Sequence, residues 1–143
     1  MKISIIGPTF PFRGGISHYT TLLAKELSKK NKVDLISFKR LFPKFLYPGK
    51  CQKDFESKIK TEAVYIIDSI NPLTWYITFS RIKNFRSNLL IFNWWTPFFS
   101  IPFTFISLLV KYFTKTKILI LCHNIIPHEK KFLDKFLTKI FFN

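Results

Sequence analysis

Two short segments of the sequence carry residue types suited to ligand chemistry, and the first is a pair of glycines. Gly14 and Gly15 stand at the predicted start of a helix, behind the apolar run KISII. Adjacent glycines leave backbone N–H groups unobstructed, and a helix start adds partial positive charge, so an anionic group can approach there. A plain tight turn explains the same pair, because the segment matches neither G-x-G-x-x-G nor the phosphate loop that ends in G-K-[ST].

The second segment is LCHNIIPHE, in which His123 and Asn124 directly follow an apolar strand. An imidazole at the end of a strand can donate to a ligand oxygen or exchange a proton, although a structural histidine fits the same position. Glu129 is a favourable first-turn carboxylate of the last helix, and His18 can face a cleft from the first helix. We expect no metal, since His123 and His128 lie five residues apart across a proline with no third ligand nearby.

The sequence contains no complete catalytic constellation. It has no G-x-S-x-G elbow, no paired carboxylates at a suitable spacing and no Cys–His arrangement with an orienting partner. Asp68 is expected to form a turn or a helix cap, and Trp94 and Trp95 are either packing residues or an aromatic platform. Cys51 and Cys122 are far apart, with Cys122 predicted inside a buried strand, so we expect no disulfide. If the protein is an enzyme, part of its active site is elsewhere.

The net charge of +15, from 23 Lys and Arg against 8 Asp and Glu, favours anionic partners. The basic residues are spread along the chain, and no run reaches the five or six like charges of a basic tail. A diffuse solvated surface, an anionic membrane-facing patch and a nucleic-acid site are the alternatives. A nucleic-acid role has the least support, because no recognised binding motif accompanies the charge.

Residues 87–110 carry no charge, and this stretch is long enough to cross a bilayer. Pro97, Pro102 and several polar residues oppose that interpretation, and the pattern divides into a strand, a turn and an amphipathic helix. The start MKISIIGP is too short for the apolar core of a secretion signal, so we expect a cytoplasmic location, with peripheral attachment to the inner face of the membrane as an extension.

Apolar runs alternate with helical patterns along the whole chain. Five strands are predicted in KISIIG, VDLISF, AVYIID, NLLIFNWW and KTKILILCHN, the last buried on both faces. The buried face of the first helix is predicted to comprise Ile16, Tyr19, Leu22, Leu23 and Leu27, and that of the last helix Phe132, Leu133, Phe136, Leu137 and Ile140. Asn71 and Pro72 are expected to cap and begin the helix between them, and residues 39–60 form a long loop. This order predicts an α/β fold with a doubly wound parallel sheet, whose ligands bind at the carboxyl ends of the strands.

Taken together, several ordered segments resemble the N-terminal domain of a glycosyltransferase. The segments are GPTFPFRGGISHYTTLLAKEL, VDLISFKRLFPKFLYPG, IDSINPLTW, IFNWWTPFF and LILCHNIIPHE. They look like the retaining enzymes of family 4, which have two Rossmann-like domains in the GT-B arrangement. The resemblance covers residues 1–143 as one acceptor-side domain, the incomplete N-terminal half of a GT-B fold.

The resemblance implies transfer of a sugar from a nucleotide-diphosphate donor to an envelope polysaccharide or a lipid-linked acceptor, without a metal or other cofactor. It implies that Gly14 and Gly15 approach the donor diphosphate and that His123, the expected catalytic residue, faces the donor sugar. With these we group His18, Asn124 and Glu129 as expected donor- or acceptor-binding residues. The family's second domain, with its diphosphate-neutralising bases and paired glutamates, has no counterpart in this sequence.

We therefore expect the chain to be inactive alone and to need a C-terminal domain or a separate chain, because leaving-group charge must be stabilised from both walls of the cleft. Two alternatives remain open at this point. One is a non-catalytic remnant or interaction module. The other is a basic module that binds the membrane periphery through its charge and the aromatic stretch NWWTPFFSIPF.

Overall fold

A computed structural model describes residues 1–43, 62–124 and 132–142 of the protein. The strands are β1 (Lys2–Ile6), β2 (Lys32–Arg40), β3 (Val64–Asp68), β4 (Leu89–Trp94) and β5 (Lys117–Cys122). The helices are α1 (Gly15–Ser28), α2 (Pro72–Phe85), α3 (Ser100–Phe113) and α4 (Phe132–Phe142), and a 3₁₀ turn at Pro97–Phe99 leads into α3. The predicted Asn71 cap is confirmed, since its side chain accepts a hydrogen bond of 3.1 Å from Leu73 N. Most of the predicted long loop lies outside the described residues.

The five strands form one sheet in the order β3-β2-β1-β4-β5, and every neighbouring pair is parallel. Lys2–Ile6 of β1 align with Lys32–Ile36 of β2 without a shift. The chain first winds outward from β1 through β2 to β3, then crosses back to β4 and continues to β5. The predicted doubly wound α/β fold is confirmed, and the direction of winding reverses between β1 and β4.

Alternate residues of each strand divide between two apolar layers. Ile3, Ile5 and Ile91 face α1 and pack with Ala24. The opposite face is larger, because α2, α3 and α4 all pack there, and Trp94 and Phe92 belong to it together with Phe103 of α3. Parallel strands covered on both faces explain the near-continuous apolar runs in the sequence.

Helix α1 contacts the sheet mainly through small residues, so its predicted buried face is wrong at Tyr19 and Leu22, although Leu27 packs against the core as predicted. Its buried residues are Ser17, Thr20, Thr21 and Ala24, whereas Tyr19 and Leu22 are each 44% exposed. The hydroxyl groups of Thr20 and Thr21 donate to the carbonyl oxygens of Ile16 and Ser17, both at 2.8 Å. Because these internal hydrogen bonds satisfy the hydroxyls, the small side chains can be buried and let the helix approach the sheet closely.

Two predictions about the second half of the chain are also wrong. Strand β5 is at the outer edge of the sheet rather than buried on both faces, and Leu119 is 43% exposed. Cys122, at the end of β5, is exposed. In α4, Phe136 is 60% and Ile140 is 38% exposed, while Phe141 is the buried anchor that stacks on Trp94. Which side chains are buried here depends on the elements that pack beside each strand or helix. The spacing of apolar residues within one element does not reveal those neighbours.

The uncharged stretch divides into β4, the 3₁₀ turn and α3 as predicted. Among the described residues, we find no helix with the length and hydropathy needed to cross a membrane. The aromatic stretch expected to contact a membrane is largely interior, since Trp94 and Phe99 are fully buried. Trp94 and Phe99 are therefore core residues and offer no membrane contact.

Candidate functional site at the carboxyl edge of the sheet

The candidate site lies where β1, β4 and β5 end. In a doubly wound sheet the connections leave in opposite directions at the point where the strand order reverses, and this creates a crevice beyond the strand ends. Here the reversal lies between β1 and β4. The loop with Gly14 follows β1, and His123 follows β5 directly. The structure thus places the two principal predicted residues at the same edge of the sheet.

Gly14 adopts a backbone conformation that few other residues tolerate. Its φ is 112° and its ψ is 161°, a region that is essentially restricted to glycine. The Gly14 carbonyl accepts the first hydrogen bond of α1, from His18 N at 3.2 Å. The helix has no side-chain cap and no acidic residue in its first turn. The first N–H groups of α1 and its dipole therefore face a position suited to an anion.

The loop between β1 and α1 is tied to its surroundings at several points. Thr9 Oγ1 lies 2.6 Å from Thr21 Oγ1 of α1, and Phe12 N donates to the Thr9 carbonyl at 2.9 Å. The hydroxyl of Tyr65 on β3 donates to the carbonyl of Phe10. These links position Gly14 relative to the sheet before any ligand is present.

A cavity of 220 Å³ opens beside Gly14. Its lining comprises Pro8, Arg13, Gly14, Ile16, Ser17, Leu41, Phe42 and Trp95. The volume is below the range of about 300–1,000 Å³ of sites that enclose a whole drug-sized ligand, so the cavity can hold only part of one. Arg13 provides a positive charge next to the start of α1, while Phe42 and Trp95 provide an aromatic wall. His123 does not line this cavity.

His123 is held by a residue of the neighbouring strand. Its Nε2 lies 3.1 Å from Oδ1 of Asn93, which is fully buried near the end of β4. Its backbone N–H donates to the Trp94 carbonyl at 2.8 Å, which extends the β4–β5 pairing by one residue. Desolvation by burial lowers the pKa of His123 below its ordinary value. The imidazole is thus held neutral near pH 7, with Nε2 engaged by Asn93.

Asn93 also sits against the last residue before the loop. A Cβ on Gly7 would lie 2.9 Å from Asn93 Nδ2 and 3.1 Å from Thr20 Cγ2. The Asn93 Nδ2 atom is buried and has no hydrogen-bond partner among the described residues. Gly7 is required here because its missing side chain gives the amide group its room. The β1 end, the β4 end and His123 are therefore packed as one unit.

The other predicted residues have different positions. Tyr19 of α1 packs edge-on against the His123 ring, with 4.7 Å between ring centroids. His18 is exposed in the first turn of α1, and Asn124 is exposed directly after His123. Glu129 lies outside the described residues. Tyr19 therefore provides a contact between α1 and His123, and the binding roles of His18 and Asn124 stay predictions.

Asp68 forms the predicted turn and also an ion pair that sequence analysis missed. Its carboxylate accepts two hydrogen bonds from Arg40 of β2, with 2.9 Å between Nε and Oδ1, and one from Ile70 N at 3.1 Å. Burial opposes ionisation of Asp68, but these hydrogen bonds outweigh it and keep the pKa of the carboxyl below its ordinary value. This pair joins the ends of β2 and β3 and is a structural element of the edge.

Sequence reasoning placed Asn93 and Trp95 at the carboxyl end of a strand, with an aromatic platform as one alternative for Trp95, but it missed the contact of Asn93 with His123 and the positions of Arg13 and Phe42. Asn93 had a visible signal, as a polar residue in an otherwise apolar strand, and Arg13 directly precedes the glycines. Phe42 and Trp95 line the same cavity as a result of tertiary packing, and the sequence had no signal for this. Among the residues that the structure describes, no three His, Cys, Asp or Glu side chains are grouped closely enough to hold a metal ion.

Comparison of the chain with protein-family models and with curated proteins found no match.

Proposed function

We propose that the chain forms the acceptor-side half of a nucleotide-sugar-dependent glycosyltransferase that resembles the GT-B enzymes of family 4. The observation that carries the proposal is the position of Gly14 and His123 at one edge of the sheet, where the strand order reverses. The proposed acceptor is an envelope polysaccharide or a lipid-linked sugar, and the proposed location is cytoplasmic.

The chemistry of the edge is consistent with a sugar diphosphate. The free N–H groups at the start of α1 and the guanidinium of Arg13 provide donors for phosphate oxygens. Phe42 and Trp95 provide an apolar wall for a ring or an acceptor chain. His123 is held neutral, so its free ring nitrogen can exchange a hydrogen bond with a sugar hydroxyl without adding a charge to the site. In this proposal no metal takes part.

The proposed reaction needs a second wall opposite this edge. Leaving-group charge is best stabilised by preorganised donors around the whole diphosphate, and Arg13 is the only cation that lines the described cavity. We therefore propose that the chain alone binds donor weakly and transfers no sugar until a second domain is supplied.

The test is a titration of the chain with UDP, GDP and their glucose and mannose conjugates, followed by amide NMR. We expect millimolar-range binding of at least one diphosphate, with the largest shifts at Gly14, Gly15 and Ser17 and a smaller one at His123. The matched nucleosides lack phosphate and should cause no such shifts.

Two substitutions make this test specific. Arg13→Gln should weaken the diphosphate titration several-fold, since it removes the guanidinium at the cavity. Lys32→Gln removes an equal charge at an exposed position on the opposite edge of the sheet and should leave the titration unchanged. Equal weakening by both variants, or shifts that are the same with nucleoside and diphosphate, would contradict the proposed donor site.

A further inference from the structure

The amino edge of the sheet, opposite the candidate site, is strongly basic. Two concavities of 680 Å³ and 690 Å³ lie there, and both include Arg86 and Asn88 in their linings. Seven exposed basic residues line one or the other: Lys29, Lys30, Lys32, Lys83, Arg86, Lys115 and Lys117. They lie at or just after the ends of α1 and α2 and at or just before the starts of β2 and β5, which are far apart in sequence. This explains why the sequence shows no basic run although the fold builds a basic surface.

Acidic residues do little to neutralise this surface. No carboxylate is among the described residues that line the two concavities. Glu26 pairs with Lys29 at 2.8 Å, between two exposed side chains. Asp34 is paired with Arg81, and Asp68 is paired with Arg40 at the opposite edge. The amino edge therefore retains most of its positive charge.

Exposed aromatic residues adjoin the basic residues. Phe113, at the end of α3, is 62% exposed and lines a concavity with Lys83 and Lys115, and its neighbour Tyr112 is 72% exposed. Tyr112 continues an exposed apolar stripe along α3 through Leu108, Phe105 and Ile101. The spacing of four, three and four residues places these side chains on one side of the helix. Opposite them, Phe103, Ile106 and Val110 are buried in the core.

We propose that this amino edge, with Tyr112 and Phe113, docks on an anionic lipid bilayer. Anionic headgroups attract clustered Lys and Arg, and Tyr and Phe next to them can enter the boundary between headgroups and acyl chains. Tyr112 and Phe113, at the end of the stripe that reaches the amino edge, favour a bilayer over a nucleic acid, because the phosphate backbone of a nucleic acid offers no apolar phase for them. The basic residues supply attraction and the aromatic residues supply insertion.

This orientation has a consequence for the candidate site. Strands of five or six residues span about 17–20 Å, so docking by the amino edge holds the carboxyl edge away from the headgroups. Gly14 and His123 then face the aqueous phase. The proposed docking does not depend on the proposed transferase activity, and the two have separate tests.

The experiment is vesicle co-sedimentation of the full chain with phosphatidylcholine vesicles, with and without phosphatidylglycerol, at low and at high salt. We expect binding to the anionic vesicles that falls as salt rises. Lys115→Glu with Lys117→Glu should lower partitioning at least about tenfold, since each basic residue near an anionic surface contributes on the order of a few-fold. The control Lys39→Glu with Lys139→Glu makes the same charge change at exposed positions that line neither concavity and should bind nearly as wild type.

A second pair of variants tests insertion separately from charge. Tyr112→Ser with Phe113→Ser should lower partitioning several-fold, whereas Leu73→Ser with Tyr76→Ser, at exposed positions near the start of α2, should not. Circular dichroism establishes that each variant is folded. Three results would overturn the proposal. They are equal binding to neutral and anionic vesicles, equal loss of binding in the two charge variants, and displacement of the protein from anionic vesicles by a short RNA at a lower charge concentration than that of the lipid.

Discussion

Oδ1 of Asn93, the buried polar residue near the end of β4, lies 3.1 Å from Nε2 of His123, the first residue after β5. The contact joins two adjacent strands at the edge where the candidate site lies. It occupies one ring nitrogen, Nε2, so the proposed function assigns the ligand contact to Nδ1. Asn93, together with the Tyr19 ring 4.7 Å away, therefore holds the imidazole of His123 in place.

Replacing Asn93 with aspartate should raise the pKa of His123. Burial lowers the pKa of His123 in the wild-type protein, whereas a carboxylate at the position of Oδ1 would favour the imidazolium. The measurement is an NMR pH titration of the imidazole signals, with His18→Gln and His128→Gln to assign them. If an Asn93→Asp variant is folded and its His123 has the wild-type pKa, the contact between residue 93 and the His123 ring is contradicted.

The same substitution should reverse the pH dependence of stability that comes from His123. In the wild-type protein the pKa of His123 is lower in the folded state than in the unfolded state, so the unfolded state takes up the imidazole proton first as the pH falls. The free energy of unfolding therefore decreases below about pH 6.5. With a raised folded-state pKa, the contribution of His123 is present below about 6.5 and is lost as the pH rises through the new pKa. Urea denaturation at a series of pH values measures both signs.

The order of elements could be predicted from the sequence, because each element carries its own local signal. The run from Lys117 to Cys122 has the composition of a strand whatever surrounds it, and Asn71 with Pro72 begins a helix by local chemistry. Which neighbours cover an element is a tertiary property. The same apolar run is typical of a central strand, and only the sheet order shows that β5 lies at the edge.

The prediction of the buried face of α1 was wrong at Tyr19 and Leu22 for a different reason. Hydrophobic spacing favoured Tyr19 and Leu22, but Thr20 and Thr21 satisfy their own hydroxyl groups within the helix and become buried. The Asn93–His123 contact likewise depends on the β4–β5 register, which pairs residues about 28 positions apart in sequence. No local pattern in the sequence contains that register.

Gly7→Ala should destabilise the protein, and Gly15→Ala should not. A Cβ at Gly7 would meet Asn93 Nδ2 at 2.9 Å and Thr20 Cγ2 at 3.1 Å, so we expect a loss of about 1–3 kcal/mol in the free energy of unfolding. A Cβ at Gly15 meets nothing within 4 Å, and alanine is the better residue in a helix. Urea denaturation compares the two, and similar stability of both variants would disprove the close packing at Gly7.

Gly14→Ala should be costly although there is space for its side chain. No atom lies within 4 Å of a Cβ at Gly14, but the φ of +112° is strained for any residue with a side chain. We expect a loss of about 1–3 kcal/mol, or a local rearrangement of the loop before α1. Gly15→Ala is the control, because a Cβ at Gly15 also has open space around it but Gly15 does not have the positive φ of Gly14. A difference between the two variants therefore reports backbone strain and not crowding. Identical unfolding curves for the two variants would contradict the conformation of Gly14.

Arg81→Leu should destabilise the protein more than removal of both partners of its ion pair. Arg81 of α2 donates through Nε and Nη2 to Asp34 of β2, with 2.7 Å between Nη2 and Oδ1. The Asp34 side chain is only 7% exposed, so loss of Arg81 leaves a buried carboxylate without its partner. We expect a loss of about 2–3 kcal/mol, below the full cost of a deeply buried pair because the Arg81 side chain is 40% exposed.

A double-mutant cycle distinguishes this explanation from simple loss of packing. Asp34→Leu with Arg81→Leu removes the charge together with its partner and should recover at least half of the stability lost in Arg81→Leu alone. The control Lys83→Leu removes an exposed cation from the same helix and should change the free energy of unfolding by less than about 0.5 kcal/mol. Strictly additive effects of the two leucine substitutions would contradict the proposed cost of the unpaired carboxylate, because independent packing losses add and a shared charge does not.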